Sequence, residues 1–207
     1  MGNPKHHCMK KDRHSGRIRG IAAFGSYSVL RWALAAALTS TLLFILGSYQ
    51  AGIASALSLN GQWLMVAGHL SAAFGNSVLL WGTIRAFYET EPKTRWPNAA
   101  AAFVMAYHLS AALGYALAFG YGLYHVTLLS WGLKTVLCCI LGIEFMMLGD
   151  GLLTAIGLTL LTACVASCPF ALPDGWGTAQ WVVAKLAALL LPVLLYWNCS
   201  DEILNDD

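Results

Sequence analysis

Residues 123–148 read LYHVTLLSWGLKTVLCCILGIEFMML, long and apolar enough to cross a hydrocarbon layer, which takes about 20 such residues, yet carrying Lys134 near the middle. Residues 176–197, WGTAQWVVAKLAALLLPVLLYW, repeat the arrangement around Lys185. An ammonium at that depth costs several kcal/mol, so an intramembrane charge marks a functional site by default.

Scanning outward at the same length gives six spans, at about 29–49, 62–84, 98–120, 124–148, 151–172 and 176–197. The composition agrees: of 207 residues 58% are hydrophobic and 11% charged, outside the ordinary soluble range, and mean hydropathy is +0.62. The expected fold is an all-α, polytopic membrane bundle of six transmembrane helices. Residues 1–28 form a basic tail and interfacial segment, 29–198 the helical domain, and 199–207 an acidic tail. Trp32, Tyr49, Trp63, Trp81, Tyr121, Trp176 and Trp197 fall near span ends, where an aromatic belt belongs.

Charge orients the bundle. Lys5, Lys10, Lys11, Arg13, Arg17 and Arg19 precede the first span, and Arg85, Lys93 and Arg95 lie between the second and third. The alternate connections, 50–61, 121–123 and 173–175, hold neither lysine nor arginine, so both termini are expected in the cytoplasm. The N-terminal basic cluster reads as a solvated tail, with no nucleic-acid surface implied. Met1-Gly2 lacks the serine or threonine at position 6 that myristoylation wants, His6 standing there. The six cysteines show neither a CxxC pair nor a metal-ligand spacing with histidine, and read as reduced packing residues.

Both lysines lie nine residues past an outer landmark, His125 to Lys134 and Trp176 to Lys185, which places each about 14 Å deep. Thr127 and Ser130 precede Lys134 on its helix face, and Thr178 precedes Lys185 by seven residues. Similar stripes hold His69, Asn76 and Thr83 on the second span and His108 with Tyr115 on the third. No carboxylate shares the lysines' level, since Glu144 is about 15 Å along the helix from Lys134. Positive charge without negative charge along a hydrated path favours small anions. Lys134, Lys185, Thr127, Ser130, Thr178, His69, Asn76 and His108 are therefore the expected transport pathway, with a histidine as proton partner. Snorkelled or neutral structural lysines are the rival account of the same residues.

Other chemistries are weaker fits. Bis-histidine ligation of haem b by His69 and His108 meets a depth mismatch, about 10 Å against 18 Å from the outer ends. A retinal-type Schiff base on Lys185 lacks a carboxylate counterion on span three. No cofactor, metal site or catalytic residue is expected. The echo of His69-Leu70-Ser71-Ala72-Ala73-Phe74-Gly75 in His108-Leu109-Ser110-Ala111-Ala112-Leu113-Gly114 places Ser and Gly four apart twice, the spacing of tight helix–helix seams.

Three short segments resemble the acetate uptake transporter family: Gly20-Ile21-Ala22-Ala23-Phe24-Gly25 before the first span, Trp131-Gly132 with Thr135 in the fourth, and Glu202-Ile203-Leu204-Asn205 after the last. The resemblance implies a compact six-helix carrier of small monocarboxylates, coupled to protons and assembled as a homo-oligomer. The family's Asn-Pro motif is replaced here by Ser15-Gly16-Arg17-Ile18-Arg19. A second segment, Asn76-Ser77-Val78-Leu79-Leu80-Trp81-Gly82-Thr83-Ile84-Arg85, is similar to fungal integral-membrane terpene cyclases. That likeness implies a membrane-embedded biosynthetic enzyme, whose intramembrane acids have no counterpart here: Asn76 stands at an acidic position. The chain is thus expected to be a multi-pass protein, with the plasma membrane favoured, and to pass a small anion such as acetate or another monocarboxylate through the lipid bilayer.

Overall fold

The computed structural model describes residues 27–53, 59–88, 96–117, 121–148, 151–167 and 177–204. The basic tail, the Gly20 to Gly25 segment, Asp150 and Asp174 lie outside the described residues. Six α-helices account for nearly all of them: α1 (Tyr27–Ile53), α2 (Leu59–Tyr88), α3 (Trp96–Ala116), α4 (Tyr121–Leu148), α5 (Gly151–Ala166) and α6 (Gly177–Leu204). All but α5 are long and apolar enough to cross a membrane.

The helices depart from the sequence-derived spans mainly at their ends. Tyr121 to Leu123, expected in a connection, form the first turn of α4. α5 stops at Ala166 after 16 residues, about 24 Å of helix against a hydrocarbon thickness of about 30 Å. Pro169 follows three residues later in the sequence, and a helix usually ends before the residue that precedes a proline. The Ala166 carbonyl is capped from the neighbouring helix by the Gln180 side-chain amide at 3.2 Å. α6, by contrast, continues to Leu204.

Each helix packs on the next, and α6 closes on α1, giving a ring in which α2 also touches α6. Lipid tails are as apolar as leucine, so such helices associate by close packing rather than by hydrophobic burial. Glycines supply that closeness. A methyl group added at Gly75 would collide with the Ala37 nitrogen and Ala33 carbonyl of α1, and one at Gly157 would sit 2.5 Å from the Gly142 carbonyl of α4. Leucines and valines such as Leu129, Val136, Leu186 and Leu190 point outward, as a lipid-facing surface requires.

The close packing is concentrated at one end. Leu79, Leu80 and Ile84 of α2, Ala100 and Val104 of α3, Leu141 and Phe145 of α4, Leu153 and Ile156 of α5, and Leu195 and Cys199 of α6 form one buried cluster. In this alternating bundle all of them lie toward the end that carries Arg85. Thr83 Oγ1 meets Cys199 Sγ there at 3.6 Å, and the Tyr88 hydroxyl donates to Glu144. The histidines and lysines lie further toward the opposite end.

This distribution separates two kinds of glycine. Gly75→Val and Gly157→Val are expected to destabilise the bundle by about 1–3 kcal/mol through overpacking against backbone, while Gly132→Val, which meets nothing within 4 Å, is expected to leave it intact. Thermal midpoints of the detergent-purified variants check the contrast.

Candidate functional site

All six helices contribute to a cavity of about 350 Å³ inside the ring. Its walls include Lys134 and Lys185, His69 and His108, and Asn76. Five of the eight side chains expected along a pathway are therefore brought together. The other three are not on its wall. Thr127 donates to the Leu123 carbonyl of its own helix at 2.9 Å, Ser130 is buried, and Thr178 is exposed. Thr127 and Thr178 each lie seven residues, about 10 Å along the helix, from their lysine, so sharing its face does not bring them to the same cavity.

A continuous train of contacts runs between the lysines. Lys185 Nζ lies 5.5 Å from the ring centre of Phe44 on α1, and Phe44 meets His69 on α2 edge-on at 4.7 Å. His69 Nδ1 is 3.0 Å from His108 Nδ1 on α3, a hydrogen bond in which one nitrogen donates and the other accepts. Beside His108 stands Tyr107, and Lys134 Nζ of α4 sits 4.4 Å over the Tyr107 ring. Lys185 also lies 5.7 Å from Trp181. The result is a horseshoe across five helices with an amine at each tip, while α5 closes the wall between the tips with Ala163, Cys164 and Ser167.

The direct histidine contact corrects the depth estimate made from the sequence. α3 ends at Ala116 and α2 starts at Leu59, so the assumed outer ends at residues 120 and 62 exaggerate the mismatch. The two rings meet at one level. A haem iron between them would need nitrogens about 4 Å apart, at metal–ligand distances of about 2 Å, with a porphyrin in the gap. The rings would have to part to admit it. Among the described residues no group of three His, Cys, Asp or Glu side chains is placed to hold a metal ion.

Residues without a polar signature complete the site. Phe44 and Leu80 carry no sequence mark, whereas Tyr107 is adjacent to His108 and Cys138 lies one turn past Lys134. Pro192 lies inside α6 and has a partner in the fold. It has no N–H to offer the Ala188 carbonyl one turn back, and Thr41 Oγ1 of α1 donates to that carbonyl at 3.4 Å. Ser40 likewise spends its hydroxyl on the Ala37 carbonyl at 2.7 Å.

Electrostatically the cavity is one-sided. Among the described residues no carboxylate lines it, Glu144 being at the packed end against Tyr88. A central lysine costs about 2.5–3.5 kcal/mol on insertion scales. An aromatic face returns about 2 kcal/mol when close and desolvated and about 0.5–1 kcal/mol otherwise, so the one close ring at Lys134, and the two more distant rings at Lys185, leave roughly 1 kcal/mol per lysine uncovered.

No family model, curated protein or solved structure matches the chain. The resemblances in the sequence stand on their quoted segments alone.

An uncovered charge predicts an inverse relation between stability and site integrity. Lys134→Met and Lys185→Met are each expected to raise stability by about 1 kcal/mol in the absence of ligand, measured as a higher thermal midpoint. A lower midpoint for both would show that the amines hold the bundle together.

Proposed function

We propose that the chain is a six-span membrane transporter or channel for a small organic anion, a monocarboxylate by class, with both termini on the cytoplasmic side. The observation that carries this reading is the convergence of Lys134 and Lys185, from different helices, on one cavity whose described lining contains no acid. An anion supplies the charge the aromatic faces do not, and it does so at the centre of a ring of helices, where transport sites are commonly built.

The histidine pair gives the anion a proton partner. In the observed bond one Nδ1 must be bare, so the pair as a hydrogen-bonded unit accepts no second Nδ1 proton without breaking. A carboxylate arriving with a proton would place that proton among His69, His108, Tyr107 and Tyr115, all on the cavity wall. On this reading the packed cluster at the Arg85 end closes the cytoplasmic side of the path. Pro192, on the wall beside Ala188 and Leu191, is the place where α6 can bend to open that side.

The terpene-cyclase-like reading needs a proton donor strong enough to open an epoxide. Asn76 occupies the wall where that likeness wants an acid.

In proteoliposomes of purified protein, uptake of labelled acetate or butyrate is expected to be saturable and to fall at least tenfold in the Lys134→Met, Lys185→Met double variant. Uptake equal to wild type for every carboxylate tested would contradict the anion site. His69→Asn is expected to retain binding while flattening the dependence of uptake on an imposed pH gradient.

A further inference from the structure

The cavity is much larger than acetate and its polarity is graded. At about 30 Å³ per water, 350 Å³ corresponds to roughly a dozen waters, the low end of pockets that enclose drug-sized ligands. The charged horseshoe occupies one part. Leu191 and Leu195 lie six and ten residues past Lys185, about 9 and 15 Å further toward the packed end, and Leu80 lies eleven residues past His69. With Val104 and Leu160 they make an apolar floor in which Asn76 is the one amide. The hydroxyls of Ser40 and Thr41 on the intervening wall are turned to backbone carbonyls and leave little hydrogen bonding to offer a ligand.

Resting on the anion reading above, we infer that the ligand is an amphiphilic monocarboxylate: a single carboxylate held at the lysine-tipped horseshoe, and an apolar body of about five or more carbons directed at Leu191, Leu195 and Leu80. Acetate would leave most of the volume to water and the floor unused.

The test is a chain-length series measured by calorimetry on full-length protein in lipid nanodiscs, with empty nanodiscs subtracted: acetate, butyrate, hexanoate and octanoate, with hexanol as the uncharged control and hexylamine as the cationic one. Affinity is expected to rise about fourfold per methylene, equivalent to about 0.8 kcal/mol, until the floor is filled, with hexanol and hexylamine at least tenfold weaker than hexanoate. Leu191→Phe, or Val104→Phe should the first not fold, is expected to move the plateau to shorter acids. Acetate binding as tightly as hexanoate would overturn the amphiphile inference and leave the anion site standing. Hexanol matching hexanoate would overturn the anion site itself, and failure of the whole series to bind would overturn both.

Discussion

A positive charge inside a helical bundle, with water excluded on most sides, must be answered by something, and the rest of this structure is arranged around two such charges. Aromatic faces answer them in part. Lys134 stands over Tyr107, and Lys185 lies between Phe44 and Trp181. Phe44 and Tyr107 also flank the histidine pair, so each amine is set against a ring that packs on the same two imidazoles. Magnitude decides the reading: an aromatic contact is worth less than a desolvated ammonium costs.

The division of labour between the two ends of the bundle follows from the same constraint. One end is packed through glycine and alanine contacts and large buried side chains such as Phe145 and Leu141, where the helices are held by close backbone approach. The other end is the one nearer the histidines and lysines. Between them, α6 carries a proline whose missing donor is offset by Thr41 from across the ring. That leaves α6 joined to α1 by a side-chain hydrogen bond at the point where its own backbone ladder is broken, a bond that can be released without unfolding either helix.

Much of this was legible in the residues. The helical class and the multi-pass character follow from apolar runs with few charges, and the two lysines, two histidines and Asn76 were singled out because charged or amide groups are costly there. Helix ends were less legible: α5 ends early, ahead of Pro169, and α4 takes in Tyr121 because apolarity alone does not mark a turn from a helix start. Thr127, Ser130 and Thr178 share helices with the lysines but lie off the cavity lining, because a shared helix face does not fix how far along the axis the cavity extends. Phe44 could not have been found from the sequence, since a phenylalanine in a greasy helix has no signal until its neighbours are known. Tyr107 and Cys138 could have been, lying one residue and one turn from residues already marked.

The central claim is that the cavity lined by the two lysines holds one carboxylate, and it is tested most directly by an experimentally determined structure of the protein with 4-bromobenzoate, whose bromine can be located by anomalous scattering. The account predicts a single bromine peak inside the ring near Leu191 and Leu195, with carboxylate density against Lys134 or Lys185. A bromine peak only at the lipid-facing surface, or a carboxylate inside the cavity that touches neither lysine, would contradict it.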